Sequence, residues 1–322
     1  MNAGPQVRKK AMANKLLALA VTATLAMGVS ACSPSPEPEQ EASDRTVTLA
    51  LSTEKNPFFL QVRYGAQAKA NELGLDLNVV DAGDDPAVQE RQLAEAEAQS
   101  KVVIVNPTDS DEVRGSVEKL NEKGVPVITL DRAVNGGEVA AHISSDNVEG
   151  GRDAAAELAR SIREQGEVIV LTGLEGSSSS EDRLAGFQEK IASYPKINVV
   201  AVEAADFERS TAREVVQQLL AAHPDVAGIF AENDEMALGA VEALGERAGK
   251  DVKVIGFDGT EEGVRAVKNR KLIATVAQLS SELGARAVEE AGTILDGGTP
   301  DKEIATNVVV VTRDNIEKYR PL

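Results

Sequence analysis

The chain has 322 residues, 42% of them hydrophobic, and a formal net charge of -18. That length suggests two domains of ordinary size, and the apolar content excludes a disordered chain. The acidic balance excludes non-specific nucleic-acid binding, which needs clustered Lys and Arg.

In chain order, the first predicted element is a targeting segment. Arg8, Lys9, Lys10 and Lys15 precede a 14-residue apolar run, Leu16 to Val29, with no acid among them. The run is short for a membrane span and suits the apolar region of a signal peptide. It ends in "VSAC", and Cys32 is the only cysteine in the chain. This matches a bacterial lipobox, so residues 1–31 read as a signal peptide and Cys32 as the lipidated new N-terminus. A blocked Cys32 leaves no thiol for disulfides, metals or catalysis. Ser33 to Asp44, "SPSPEPEQEASD", then reads as a solvated tether, making 32–44 the anchor segment.

From Thr46 onward, short β-branched runs alternate with stretches of helical spacing. The runs are "TVTLAL", "LDLNVV", "KVVIV", "VPVITL", "VAAHI", "EVIVLTG", "INVVAV", "AGIFA", "VKVIGF", "LIATVA" and "NVVVV". Phe59, Val62, Ala66, Ala70 and Leu73 show the intervening 3.6-residue stripe. Continuous apolar runs alternating with helices predict parallel sheets covered on both faces. Eleven runs fit two doubly wound sheets of five or six strands better than one. The first sheet is expected to end near His142 to Gly151, where a Gly-flanked turn opens a new helix.

Ligands of open α/β sheets bind beyond the carboxyl ends of the strands. The residues at those ends are therefore the candidates: Asn56, Phe58 and Phe59; Asp131 and Arg132; Arg183; Phe207; Asn233; Asp258; and Gln278. Each has a plainer explanation. Asn56 before Pro57 suits a helix cap, as do Asp146, Asn147 and Asn233. Asp258-Gly259 suits a turn, and Phe59 belongs to the stripe. Jointly the pattern exceeds capping, which needs no arginines or phenylalanines. Phe58 and Phe59 stand about 100° apart on a helix, so both are not expected to enter one core. Phe207 sits among acids in a loop. Phe230 and Phe257 in strand runs, and Phe187 in a helix, are expected to be core. Carboxylates accept from hydroxyls, guanidiniums donate, amides do both, and rings cover C–H faces. That set suits a sugar.

The stretches "NPFF", "NPTDSD", "PVITLDR", "HISSDNVEGG", "ADFER", "AHPDV", "FAENDEMALGA", "VIGFDGT" and "ATVAQL" resemble the sugar-binding proteins of ABC transporters. These form the type I periplasmic binding protein family, and the similarity is to its D-ribose-binding members. It spans Thr46 to about Thr312. It implies an α/β fold of two Rossmann-like, doubly wound parallel-sheet lobes joined by three crossovers, near Asp146, Gln278 and Asn307. The lobes would comprise 45–146 plus 279–306, and 147–278 plus 307–322. Carried over by motif, Asn56, Phe58, Phe59, Asp131 and Arg132 would contact the sugar from one side. Arg183, Phe207, Asn233, Asp258 and Gln278 would do so from the second lobe and hinge. Phe207 and one ring of the Phe pair would cover opposite sugar faces. The serine-rich "SSSSED" before Arg183 departs from the family stretch, which carries more Ala and Arg, and leaves that loop's shape open. The resemblance also implies a monomer outside the cytoplasm, held to the membrane through Cys32 and delivering D-ribose to an ABC permease, with no cofactor, metal or nucleic acid.

Other ligands on the same fold are an open alternative: another pentose, a hexose, or a furanosyl signal molecule. A repressor of the same fold would carry a basic helix-turn-helix where this chain has a signal and an acidic tether. An enzyme is not expected. His142 and His223 have no nucleophile beside them, "LEGSSSSED" lacks G-x-S-x-G, and "GERAGKDV" has the wrong spacing for a phosphate loop.

Overall fold

The computed structural model describes residues 44–319. The signal segment, Cys32 and the tether up to residue 43 lie outside the described residues. The first elements are β1 (Thr46–Leu51), α1 (Pro57–Leu73), β2 (Asp76–Asp81), α2 (Pro86–Gln99), β3 (Val102–Val105), α3 (Arg114–Glu122), β4 (Val127–Leu130) and β5 (Ala141–Ser145). Then follow α4 (Asn147–Ser161), β6 (Gly166–Thr172), α5 (Ser178–Ile191), β7 (Ile197–Ala204), α6 (Arg209–Ala222), β8 (Gly228–Ala231) and α7 (Asp234–Leu244). The last are β9 (Lys253–Asp258), α8 (Glu261–Lys268), β10 (Ala274–Ala277), α9 (Ser280–Leu295), β11 (Glu303–Thr306) and β12 (Val309–Thr312).

The strands form two six-stranded sheets, ordered β11-β5-β4-β3-β1-β2 and β12-β10-β9-β8-β6-β7. Every pairing is parallel except that of the edge strand β12, which runs antiparallel to β10. Each of the eleven apolar runs overlaps a strand. The twelfth, β11, is "EIAT", with only Thr306 buried. It pairs with β5 at the sheet edge. A half-exposed edge strand needs no continuous apolar run, so hydrophobic patterning passes over it.

Both sheets are covered on two faces. In the first, α1 and α9 pack on one side with Leu49, Leu51, Ile104 and Ile128, while Leu93, Val117 and Leu120 of α2 and α3 fill the other with Val103 and Val105. In the second, α6, α7 and α8 cover one face, and α4 and α5 the other. The central strands β3, β4, β8 and β10 are wholly buried. Each such Val, Ile or Leu contributes about 1.5–3 kcal/mol of burial. Phe187 and Phe230 stack at 4.7 Å, and with Phe257 they are fully buried, as expected.

The chain passes between the sheets three times: from β5 through Asp146 to α4, from β10 through Gln278 and Leu279 to α9, and from β11 to β12. Asp146 caps α4, its side chain accepting the Glu149 N–H. In α1, Asn56 accepts the Phe58 N–H, Pro57 takes the first helical position, and Gly74 ends the helix at φ 65°. The buried stripe runs Phe59, Val62, Ala66, Ala70, and stops there. Leu73, the next member by spacing, lies in the last turn and is 37% exposed.

Candidate functional site

The loops at the carboxyl ends of the two sheets face each other across a cleft. All ten strand-end residues singled out from the sequence line it. Thr53, Lys55, Asp84, Leu174, Ser179, Asp206, Glu208 and Glu235 complete the wall.

From the first sheet, the cap that starts α1 also reaches across. Asn56 spends its Oδ1 on the helix and donates from Nδ2 to Asp258 Oδ2 at 3.3 Å. Phe58 and Phe59 pack edge to face, ring centroids 5.0 Å apart, and both are buried in the first core as well as bordering the cleft. The 100° argument is corrected here. At the first turn of α1 the two rings pack edge to face, and both belong to the core of the first sheet. Directly after β4 comes Asp131, at φ 65°, whose N–H donates to Ile143 O. Arg132 follows, fully buried, with Nη1 donating to Pro107 O at 3.0 Å. Its guanidinium carbon lies 5.7 Å from the Phe59 ring centre and 5.4 Å from that of Phe207, so it stands between aromatic faces contributed by both sheets.

From the second sheet, Arg183 of α5 lies 4.0 Å over the Phe257 ring. Its Nε donates to Asn147 Oδ1 at 2.8 Å and its Nη1 to the Glu232 carbonyl at 2.7 Å. Two fixed acceptors orient the fork, with Asp258 Oδ1 3.9 Å from Nη1. Phe207 is half-buried at φ 60°, and its ring lies flat against Gly173, where any Cβ would stand 2.0 Å from it. The ring thus leans on its own sheet's core while still bordering the cleft. Asn233 caps α7 and donates to the Phe207 carbonyl at 3.1 Å, tying that turn to the helix. Asp258 ends β9 at φ 107° and accepts from Gln278 Nε2 at 2.7 Å.

Five of the eight described non-glycine residues with positive φ (Asp84, Asp131, Asp206, Phe207 and Asp258) line this one cleft. Backbone strain of this kind concentrates at functional sites. So do unpaired polar atoms. Asp131 Oδ1, Arg132 Nε and Gln278 Oε1 are buried and make no hydrogen bond. Leaving such atoms unmatched costs about 1–3 kcal/mol each.

Burial dominates the electrostatics. It raises the Asp131 carboxyl against the opposing pull of Arg183 and Arg132, and lowers the Arg132 guanidinium. Asp258 is pushed up to about 8, first by burial and also by neighbouring Asp234, with Arg183, Asn56 and Gln278 opposing. Behind the cleft two further acids are buried. Glu232 rises to about 7; its Oε2 accepts from Ser180 Oγ and from the Gly173 N–H, while its Oε1 is unpartnered. Asp234 rises to about 7 while accepting from Thr275 and Thr260. The sequence reading notes Asp234 beside Asn233 at a strand end but makes neither acid a site residue, because acids in "AENDE" at a helix start resemble ordinary cap and dipole partners. Asn147 was read as a possible cap; instead it holds Arg183. Among the described residues, no group of three His, Cys, Asp or Glu side chains is placed to hold a metal ion.

With this geometry in hand, comparison with known proteins gives one answer. Residues 47–299 match the family described as "Periplasmic binding protein domain". The ribose import binding protein of Salmonella typhimurium is 46% identical over 254 residues, 78% of this chain and 85% of that protein. The ribose import binding protein of Escherichia coli K12 is 46% identical over 253 residues, again 78% and 85% of the two chains. Among solved structures, a Caulobacter myo-inositol binding protein bound to myo-inositol superimposes with a TM-score of 0.82 at 33% identity, covering 86% of this chain and 96% of that one. The chain belongs to the periplasmic binding protein family, with the two-sheet α/β fold of its type I members. It is a binding protein rather than an enzyme, since its relatives are substrate-binding components of transport.

Proposed function

We propose that this chain is the extracytoplasmic binding component of an ABC importer and carries D-ribose in the cleft between its two lobes. The observation that carries this reading is the set of buried, unpartnered polar atoms on Asp131, Arg132 and Gln278 beside the aromatic rings of Phe58, Phe59 and Phe207. A polyhydroxylated ring supplies donors and acceptors for the former and C–H faces for the latter. Ribose is favoured over other sugars by the 46% identity to ribose import binding proteins. The myo-inositol complex of a 33% identical relative keeps a cyclic polyol as the second reading.

The lobes are taken as 45–146 plus 279–306, and 147–278 plus 307–322, the three crossings acting as hinge. A sugar that touches both lobes stabilises the closed form, because only that form makes both sets of contacts. Cys32 would carry the lipid that keeps the monomer beside its permease. One acyl chain anchors only marginally, so more than one is expected. The test is calorimetric titration with D-ribose, alongside a panel of other pentoses, hexoses and myo-inositol. Saturable heat, tightest for D-ribose, is expected. No heat and no thermal shift at millimolar ribose rejects the ribose assignment.

A further inference from the structure

The stretch "GLEGSSSS", the loop after β6 and the first turn of α5, touches the opposite half of the molecule directly. The Ala133 N–H donates to Ser178 Oγ at 2.8 Å. The Ser110 N–H donates to the Gly176 carbonyl at 3.0 Å. Gly176 adopts φ 78°, a conformation that strains any other residue, and a Cβ there would stand 2.1 Å from the Asp109 side-chain Oδ2. The Asp109 carboxylate thereby lies against the loop that opens α5, whose capping residue Ser177 pairs its Oγ with Ser179 Oγ at 3.1 Å rather than with a helix N–H. A carboxylate near a helix N-terminus is a favourable partner. Ser178 does not border the cleft, and its neighbour Ala133 does not either. Two hydrogen bonds and a close contact therefore join the halves without passing through the cleft. Ser178 lies in the serine-rich stretch that departs from the family pattern, and Gly176 directly precedes it.

We infer that Ser178 and Gly176 form a latch that sets ligand affinity through closure rather than through sugar contact. The bonds exist only when the halves meet, so they shift the open–closed balance toward closed before any ligand arrives. They also slow opening once the ligand is inside. A ligand then spends less of its binding energy on closing the lobes. This inference builds on the closing-cleft reading above, but its primary readout does not need the sugar to be identified.

The experiment uses the full chain with Cys32→Ser and spin labels at Glu118→Cys on α3 and Glu214→Cys on α6, both exposed positions on opposite sheets. Distance distributions are measured without sugar. Against this parent, Ser178→Ala is expected to lower the closed-to-open ratio about three- to tenfold, the worth of one hydrogen bond. Ser178→Thr, which keeps the hydroxyl, should restore it. Gly176→Ala should lower it further. With D-ribose, Ser178→Ala should raise the dissociation rate by the same factor and leave the association rate unchanged. Unaltered distances in both Ser178→Ala and Gly176→Ala overturn the latch, as does an unaltered dissociation rate. If the parent binds no ribose, the ribose reading fails, while the ligand-free distances still decide the latch.

Discussion

The two halves of the molecule share one architecture but support their sides of the cleft with different chemistry. Behind the first half the strand ends are tied by neutral amides. Asn106, fully buried, accepts from the Ser52 N–H and donates to the Leu130 carbonyl, both at 3.1 Å. Gln89 donates to the Asn106 carbonyl and accepts from the Thr108 N–H, each at 2.9 Å. Behind the second half the equivalent ties are the buried carboxyls of Glu232 and Asp234. An amide network is satisfied at any pH. Burial favours the protonated form of these carboxyls, against the pull of the donors they accept. The same fold thus has one supporting side indifferent to pH and one that titrates near neutrality.

That contrast can be tested at four strengths. The largest effect is expected from Arg183→Ala in the second half. It removes charged hydrogen bonds worth about 1.5–3 kcal/mol each and leaves Asp258 without its cation. Sugar affinity should fall about 100-fold or more by calorimetry, with unfolding still cooperative. Phe207→Ala should cost about tenfold or more in affinity by the same titration, through lost ring burial. In the first half, Asn106→Ala orphans strand-end backbone groups and should destabilise the ligand-free protein by about 1–3 kcal/mol in urea. The loss should be equal at pH 5.5 and 8.5, because nothing it touches titrates.

The fourth test is the pH slope itself. The folded state holds Glu232, Asp234 and Asp258 protonated up to about 7, 7 and 8, against ordinary values of 4.5, 3.8 and 3.8. Between those limits the folded chain binds more protons than the unfolded one, so stability falls as pH rises. It is fully present below about pH 4 and lost through pH 7–8. Thermal unfolding without ligand should therefore shift down by several degrees from pH 5.5 to 8.5. Glu232→Gln should flatten part of that slope. An unchanged slope in the variant would remove Glu232 from the account.

Much of this was legible in the sequence. The eleven apolar runs mark strands, and the residues placed at their ends line one cleft, because a buried parallel strand leaves little freedom in where its last residue points. What escaped did so for physical reasons. Strand β11 is a half-exposed edge and carries no apolar signature. Phe58 and Phe59 both join the first core by packing edge to face at the start of α1, which the 100° spacing along one helix does not reveal. Glu232 and Asp234 carry the sequence signature of surface helix-start acids, and only the packing of α5 and α8 against them makes them buried. Ser178 stood out as a departure from a pattern, yet its partner, the backbone of Ala133, lies 45 residues away on the other sheet.

A crystal structure with D-ribose tests the central claim most directly. The account predicts the ring between the Phe58–Phe59 pair and Phe207, with sugar hydroxyls within roughly 3.2 Å of Asp131 Oδ1, Arg132 Nε and Gln278 Oε1. A pentose bound elsewhere, or one lying in the cleft with those three atoms still unpaired, would contradict it.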